Sequence, residues 1–299
     1  MEVTTMKMNQ TSLFDWQKRY ATEESCIEAL IKIRWPKGYF CPNCSCNKAY
    51  FIASRNLYQC SNFNHQTSIT AGTIFHSTKL PLIMWFWAIY LTATDKGGIS
   101  ALRLAKQLGV SWPTAWKMLR KIREAMKDRD SIYRLKNLIE FDDTLIGGKC
   151  PGKRGRGAGG KSPVVVAVEK RGKKAGFMAA KVVPTISKAT IEDFLKHKIL
   201  HGQVIHTDAL PALNIIGKYH EHNAKVTPPE KASEWLPLVH IIIGNLKTFL
   251  NGTFHGVSHE YLQEYVDEFC YRFNRRYWED ELPFRLLNAC LSHVPALST

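Results

Sequence analysis

Residues 138–146 read Leu-Ile-Glu-Phe-Asp-Asp-Thr-Leu-Ile, an apolar strand pattern that carries three carboxylates. Because side chains alternate along a strand, Glu140 and Asp142 are predicted to share one face, and Phe141 and Asp143 the other. A carboxylate inside an apolar strand is costly unless it is paired or bound to a metal ion. The stretch therefore predicts a sheet strand whose carboxylates have a function.

A second strand pattern, Val-Ile-His-Thr-Asp, ends on Asp208. Three antiparallel-looking strands, a helix and then this strand give the order of an RNase H-like fold, so the predicted fold class is α/β. Asp142 and Asp208 would then converge, and with a polar residue from a later helix they would hold Mg²⁺ for phosphodiester chemistry. The plain alternative is that each aspartate ends a strand and accepts loop amides. The intervening strand and helix patterns lie at residues 162–170, 176–183 and 186–200.

A cysteine cluster precedes the sheet, since four of the eight cysteines lie within residues 41–60. A Cys-Pro-Asn-Cys turn followed by a further cysteine is the spacing of a zinc ribbon, in which two such pairs bind one tetrahedral Zn²⁺. Phe63 stands where the fourth cysteine is expected, and Cys46 offers a shifted register. The competing interpretation is a ribbon that has lost its metal and is stable through packing. The predicted zinc ligands are Cys41, Cys44, Cys60 and His65.

Residues 99–127 predict a helix-turn-helix. One helical pattern ends at Leu108, a Gly-Val-Ser turn follows, and Pro113 stands in the first turn of the next helix, where it is tolerated. The second helix has one apolar face and a basic remainder, which suits a helix in the major groove of DNA. A helical hairpin with a solvated basic face is the alternative. The predicted DNA contacts are Lys117, Arg120, Lys121, Arg123 and Lys127.

The charge indicates a polyanionic partner. Lys and Arg number 41 against 26 Asp and Glu, a net charge of +15, and the excess is concentrated in residues 1–138 and 149–174. The Gly-rich segment 147–160 is interpreted as a basic loop that touches the DNA backbone. Its end matches the string of a nucleotide-binding P-loop, but a strand follows instead of a helix, which argues against nucleotide binding. The predicted loop contacts are Lys153, Arg154, Arg156 and Lys161.

Neither export nor membrane insertion is predicted. The first ten residues lack the apolar run of a signal peptide, and the longest apolar run, residues 80–93, is shorter than the ~18 residues of a spanning helix. Clustered cysteines in a long chain are typical of metal binding in a reducing compartment. We therefore expect a soluble, cytoplasmic protein, and association with a bacterial nucleoid is implied only by the family resemblance described next.

Over about residues 12–293, the sequence resembles the bacterial insertion-sequence transposases that join a zinc ribbon to an ISXO-type DDE domain of RNase H-like fold. Eukaryotic Merlin-type transposases are distant relatives of that group. The motifs that carry the resemblance are Arg34-Trp-Pro-x-Gly-x-x-Cys-Pro-x-Cys44, Gln66-Thr-Ser-x-Thr-Ala-Gly-Thr-Ile-Phe75, Thr114-Ala-Trp-Lys-Met118, Asp142-x-Thr-x-Ile-Gly-Gly148, Thr207-Asp208, Val239-His240, Asn245-Leu-Lys247 and Glu268-Phe-x-Tyr-Arg-Phe-Asn-Arg-Arg276.

The resemblance implies roles for the matched residues. Asp142 and Asp208 would be the first two catalytic acids and would bind Mg²⁺ or Mn²⁺. Asn245 would take the third catalytic position, as in the Asp-Asp-Asn-Lys branch of the family, and Lys247 would contact DNA. Since Asn is a neutral and weaker ligand than a carboxylate, other residues remain open for that place. These alternatives are Glu234 and Glu268.

Two departures from the family pattern stand out. Phe63 replaces a ribbon cysteine, which weakens the expectation of zinc, and Asp143 stands where many members carry Glu. His240 and His255, near the third catalytic position, are interpreted as packing or DNA-contact groups rather than metal ligands.

The sequence thus predicts three domains: a zinc-ribbon region at 12–76, a helix-turn-helix region at 77–136 and an RNase H-like DDE domain at 137–293. The predicted function is that of a metal-dependent DNA transposase, a polynucleotidyl transferase that binds element ends, cleaves them and transfers the strand. Its partners would be terminal inverted repeats, target DNA and further copies of itself in a synaptic complex. Two alternatives remain: a non-catalytic DNA-binding protein with a decayed nuclease domain, and a structure-specific nuclease.

Overall fold

The computed structural model describes residues 11–148, 160–228 and 232–293. The chain divides into two compact units, the first made of Met1–Arg129 with Trp278–Thr299 and the second of Asp130–Tyr277. The predicted boundaries at 76, 136 and 293 differ from this division. Ribbon and helix-turn-helix fall in one unit, and the C-terminal helix joins them. Among the described residues, no helix is both long and apolar enough to cross a membrane.

The first unit begins with two capped helices and a small sheet. Strands β1, β2 and β3 form an antiparallel sheet in that order. Three aromatic rings pack beside the cysteines: Tyr39 stacks on Tyr58 at 4.6 Å, and Trp35 meets both edge-on. This packing supports the ribbon independently of any metal. The elements are α1 (Leu13–Arg19), α2 (Glu23–Arg34), β1 (Ala49–Ile52), β2 (Leu57–Cys60) and β3 (Gln66–Ser68).

The remaining helices of the first unit enclose an apolar core. The C-terminal helix belongs here: its Leu286 and Leu287 are buried, its Cys290 carbonyl accepts the Ile74 amide at 3.3 Å, and its Phe284 ring lies 5.4 Å from Trp16. The helices are α3 (Leu82–Thr94), α4 (Ala101–Leu108), α5 (Trp112–Ser131) and the C-terminal α10 (Leu282–Ser292).

The second unit is built on a five-stranded sheet of order β6-β5-β4-β7-β8. Strands β4, β5 and β6 are successively antiparallel, and β7 and β8 run parallel to β4. This is the RNase H-like topology that the sequence predicts, and that prediction is confirmed. The strands are β4 (Leu138–Ile146), β5 (Ser162–Arg171), β6 (Lys174–Val182), β7 (Val204–Asp208) and β8 (Glu221–Lys225).

Helices cover both faces of this sheet. Phe141 packs with helix α6 on one face, and Val164, Val166 and Val168 of the neighbouring strand pack with α8 and α9 on the other. The alternation along β4 therefore directs Glu140 and Asp142 toward α8, as the strand pattern predicts. The helices are α6 (Lys188–Lys198), α7 (Ala232–Trp235), α8 (Pro237–Phe254) and α9 (Leu262–Asn274).

Candidate functional site

Two aspartates follow the paired part of adjacent strands in the second unit. Strands β4 and β7 are paired in parallel from Leu138 opposite Val204 to Glu140 opposite His206, and continuing this register by two residues would set Asp142 opposite Asp208. Neighbouring strands are about 4.8 Å apart, and in-register parallel residues point to the same face. Both side chains are half-buried. The strand register therefore directs the first two predicted acids to the same face and the same end of adjacent strands.

The third side chain at this place is a histidine. Nδ1 of His240, on α8, lies 3.4 Å from Oδ2 of Asp142, whose side chain is 14% exposed. The other carboxylate oxygen of Asp142 accepts the amide of Asp143 at 2.8 Å. The sequence interpretation of His240 as a packing or DNA-contact group misses this contact.

Asn245, the predicted third position, lies elsewhere on the helix. Five residues separate it from His240, which is about 140° of rotation at 100° per residue, and Asn245 is exposed. Lys247 lies seven residues after His240, or two helical turns, and is exposed on the same flank as the histidine. The helix therefore turns His240 and Lys247, rather than Asn245, toward one side.

The structure places the two alternative carboxylates in different surroundings. Glu234 is exposed on the short helix α7. Glu268 is buried and forms an ion pair with Arg272 at 2.9 Å within α9. The nearby Asn274 and Arg275 of the same motif bind Asp130, and Asn274 also bonds the backbone of Met178. This family motif thus has a structural role in the second unit.

The surroundings of Asp208 combine a strand end with buried aromatic contacts. Its Oδ1 accepts the Leu210 amide at 3.3 Å, the loop contact that the plain alternative predicts. The indole of Trp235 donates to the Thr207 carbonyl at 2.8 Å and stacks on His206 at 4.5 Å. Burial lowers the pKa of His206, so this ring is neutral near pH 7. Asp208 therefore lies at a firmly packed strand end.

The ribbon of the first unit gathers three thiols. The Sγ atoms of Cys41, Cys44 and Cys60 all lie within 4.8 Å of one another, and those of Cys44 and Cys60 are 3.6 Å apart. The Phe63 and Asn62 amides point at the Cys60 sulfur and lower its pKa to about 7. A thiol that ionises near neutral pH is a ready zinc ligand.

The first ribbon turn, residues 41–46, has the backbone of a zinc knuckle. The Ser45 amide donates to the Cys41 carbonyl at 2.8 Å, and the Cys41 amide donates to the Cys46 carbonyl at 2.9 Å. Ser45 has a left-handed backbone, with φ of 57°. These bonds fold the turn so that its two thiols face inward.

The second ribbon turn, residues 60–65, repeats this backbone. The Asn64 amide donates to the Cys60 carbonyl at 2.9 Å, the Cys60 amide donates to the His65 carbonyl at 2.9 Å, and Asn64 has φ of 53°. Phe63 occupies the place that corresponds to Cys44, and its side chain is 67% exposed. The second turn therefore keeps the knuckle conformation without its second thiol.

Two predicted or alternative zinc ligands lie outside the thiol cluster. Nδ1 of His65 is 3.2 Å from the Asn43 side-chain amide, and His65 does not join the group of mutually close ligand atoms. The sulfur of Cys46 accepts the Lys48 amide at 3.4 Å. Cys46 and His65 hold equivalent places in the two knuckles, because each directly follows the left-handed residue, Ser45 or Asn64. The cluster is thus three thiols, without His65.

A helix-turn-helix lies in the same unit. Helix α4 ends at Leu108 and is capped by Gly109, which has φ of 66°, and α5 begins at Trp112. Lys117 and Lys127 are exposed, as the sequence predicts for DNA contacts. The Arg120 guanidinium lies 4.8 Å over the Trp116 ring, which stacks on Trp112. This aromatic ladder on the exposed side of α5 is a feature that the sequence reasoning missed.

Two of the predicted DNA contacts on α5 face inward instead. Lys121 donates to the Ile74 carbonyl at 2.9 Å, and burial lowers its pKa. Arg123 is 2% exposed. Both positions lie on or beside the apolar face of the helix, so they stabilise the unit and are not free for DNA.

Among the predicted loop contacts, Lys161 is half-buried at the edge of β5. The loop contacts Lys153, Arg154 and Arg156 lie outside the described residues.

Comparison with known proteins finds a family match within each unit. Residues 21–66 match the transposase zinc-ribbon domain, and residues 134–274 match the ISXO2-like transposase domain. A curated relative is the uncharacterized protein in transposable element ISH50 of Halobacterium salinarum. It is 24% identical over 112 residues, which are 36% of this chain and 37% of that protein. The chain thus spans little more than a third of the length of that relative.

Solved structures with a similar chain include the pre-cleavage Mos1 transpososome, at 13% identity, and the Mos1 strand transfer complex, at 15% identity. The aligned parts cover 70% and 71% of this chain and 79% of each Mos1 chain, with TM-scores of 0.26 and 0.29. The sheet topology and the two matched domains define the class, which is that of insertion-sequence transposases. Within this class, the chain belongs to the family that joins a transposase zinc ribbon to an ISXO2-like transposase domain.

Proposed function

We propose that the protein is a DNA transposase that binds the ends of an insertion sequence, cleaves the DNA there and joins the freed end to target DNA. One observation carries the proposal: His240 lies 3.4 Å from Asp142, on a strand whose register with β7 directs Asp208 to the same face. Carboxylates at neighbouring strand positions with a polar helix residue beside them are the parts of a metal-dependent phosphoryl-transfer site.

We further propose that His240, not Asn245, takes the third position of this site. The contact with Asp142 and the orientation of Lys247 two turns later on the same flank support this assignment. Asn245 is exposed. If Asn245 were the required third ligand, this exposure would favour the alternative, a non-catalytic DNA-binding protein. With His240 in that place, the site retains three ligands.

The donor set fits a divalent cation. Asp142 and Asp208 offer carboxylate oxygens, which Mg²⁺ and Mn²⁺ prefer, and His240 offers an imidazole nitrogen, which suits Mn²⁺ better than Mg²⁺. When bound, such an ion neutralises phosphate charge and lowers the pKa of an attacking water. The half-buried Asp142 and Asp208 leave an open side for the phosphate.

The proposed reaction has two displacements at phosphorus. In the first, a water oxygen bonds to the phosphorus at the element end, the P–O3′ bond breaks, and the element strand leaves with a 3′-OH. In the second, this 3′ oxygen bonds to a target phosphorus and displaces the target's 3′ oxygen, which takes up a proton. Asp142 and Asp208 orient the reacting groups, and the exposed Lys247 neutralises backbone charge.

DNA binding is assigned to the exposed basic side of α5. Lys117 and Lys127 would contact phosphates, and Arg120, held over Trp116, would reach a base edge or phosphate. A synaptic complex pairs two element ends, so we expect the protein to act as a homo-oligomer on double-stranded DNA.

We infer that the ribbon binds Zn²⁺ through Cys41, Cys44 and Cys60. Three mutually close thiols and a Cys60 pKa of about 7 support this ligand set. The fourth position would then be open to water, because the second knuckle carries Phe63. The aromatic packing of Trp35, Tyr39 and Tyr58 would limit the loss of structure when zinc is removed.

Incubation of the purified protein with end-containing DNA and Mg²⁺ or Mn²⁺ tests the proposal. Nicking at the element end together with joined target products is expected. Nicking without joined products would favour a structure-specific nuclease. End binding without any nicking in either metal would favour the non-catalytic alternative and refute the proposed activity.

A further inference from the structure

Glu140 is a carboxylate that the proposed reaction does not use. It is 0% exposed and lies two residues before Asp142 on the same face of β4. A fully buried carboxylate is costly unless its charge is matched and its oxygens accept hydrogen bonds. The hydrogen-bond partners of Glu140 therefore indicate its role in the strand.

Both oxygens of Glu140 are engaged. Oε2 accepts the backbone amides of Leu238 and Val239 at 2.8 and 3.1 Å, and Oε1 accepts Lys170 Nζ at 3.0 Å. The two amides belong to the first turn of α8, where amide groups have no partner within the helix. A carboxylate at a helix N-terminus also interacts favourably with the helix dipole. Glu140 is thus an N-terminal clamp from the sheet to α8.

The clamp ends one residue before His240. Along β4, Glu140 and Asp142 are separated by about 6.6 Å, twice the rise of 3.3 Å per residue. Along α8, Val239 and His240 are separated by a rise of about 1.5 Å. One strand therefore carries both the carboxylate that clamps the helix and the carboxylate that contacts its histidine. A shift of the helix by a single residue would break the 3.4 Å contact.

We infer that Glu140 is a positioning residue, which fixes the first turn of α8 on β4 so that His240 meets Asp142. This inference rests on the proposed function, since it concerns the same site. Groups that orient metal ligands change metal affinity or activity by about 10–100-fold when removed. The competing explanation is that Glu140 only balances the charge of Lys170.

The chain offers variants that separate the two explanations. Glu140→Met removes the oxygen that accepts the two amides, and Lys170→Met removes the cation that it would leave behind. The double variant thus has no unpaired buried charge but still lacks the clamp. Glu169→Met is the matched control, since Glu169 is also buried and binds Arg171 and the Phe177 amide, outside α8.

Thermal unfolding, Mn²⁺ affinity by electron paramagnetic resonance, and amide exchange at residues 238–240 are measured for each variant. We expect Glu140→Met to bind Mn²⁺ at least about tenfold more weakly and to exchange these amides faster. The double variant should recover part of the lost thermal stability but not the Mn²⁺ affinity. Glu169→Met should keep the Mn²⁺ affinity of the wild type even if it lowers thermal stability.

Two results would overturn the inference. One is recovery of Mn²⁺ affinity in the double variant together with stability, which would reduce Glu140 to a charge partner. The other is unchanged exchange at residues 238–240 in Glu140→Met, which would mean that no clamp exists. If the wild type neither bound Mn²⁺ nor cleaved DNA, the proposed function would be refuted instead. Amide exchange at residues 238–240 would still show whether Glu140 holds the first turn of α8.

Discussion

The ribbon and the sheet each carry a set of candidate metal ligands, and each set departs by one residue from its usual composition. Phe63 stands where a fourth thiol is expected, and we propose His240 where a third carboxylate is usual. In the ribbon, three sulfur atoms lie within 4.8 Å of one another. In the sheet, Asp142 and His240 are 3.4 Å apart. Among the described residues, no group of three carboxylate or imidazole ligands is as close as the thiols.

The difference follows from chemistry and from chain distance. Thiols are neutral when protonated and pack as small apolar groups, and two short turns of local sequence bring them together. Carboxylates repel one another until a cation neutralises them. Their site is assembled from a strand, a second strand and a helix that are far apart in sequence. The ribbon site is therefore local and preformed, whereas the sheet site depends on the whole second unit.

The largest expected effect is at the sheet. Asp142→Asn should lower the rate of end cleavage by at least about a thousandfold, because the site loses an anionic ligand that no neighbour replaces. The measurement is nicking of end-containing DNA in Mn²⁺. Asp143→Asn is the control, since strand alternation directs this neighbour to the other face. Equal loss in both variants would indicate damage to β4 and not loss of a ligand.

In the ribbon, Cys41→Ser should weaken zinc binding by more than the roughly 10–100-fold that loss of an outer-shell partner costs. The reason is that one of only three thiolates is removed. Competition with a chromophoric chelator measures the affinity, and Cys46→Ser is the control because Cys46 lies outside the cluster. If Cys46→Ser weakened zinc as much, Cys46 would be a ligand and the three-thiol assignment would be wrong.

The sequence predicts the local parts of both sites well and the non-local parts less well. The Cys-x-x-Cys spacing identifies the thiol cluster because a tight turn determines which residues meet. Strand alternation and strand order identify Asp142 and Asp208 because the register of a sheet follows from its topology. The spacing does not predict the position of His65 correctly. The direction of its side chain depends on the left-handed backbone of Asn64, which sequence spacing does not reveal.

Helix phase accounts for the other differences. The family pattern favours Asn245, but the first turn of α8 is fixed by Glu140, and that contact determines which residue faces Asp142. On α5, Lys121 and Arg123 belong to a basic run, yet their positions turn them inward. A basic residue beside an apolar face can therefore be structural, and composition alone does not separate the two roles.

A smaller effect is expected on the metal preference of the sheet site, measured as the ratio of cleavage rates in Mn²⁺ and Mg²⁺. His240→Glu replaces an imidazole by a carboxylate and should shift the preferred ion from Mn²⁺ toward Mg²⁺, by about tenfold in the ratio of cleavage rates. Asn245→Ala is the matched control on the other flank of α8 and should keep the wild-type ratio. A loss of cleavage in Asn245→Ala with an unchanged ratio in His240→Glu would restore Asn245 as the third position.

The smallest expected effect is a gain in the ribbon. Phe63→Cys should raise zinc affinity by about tenfold, or ~1.4 kcal/mol, because the second knuckle already has the backbone of the first and lacks only the thiol. Cobalt substitution measures the same change, since charge-transfer absorption grows with each thiolate bound. Phe51→Cys adds an exposed thiol on β1, outside both knuckles, and should change neither quantity. If Phe63→Cys left zinc affinity unchanged, another group would already occupy the fourth coordination position of the zinc ion in the wild type. The ribbon would then be a complete four-ligand site.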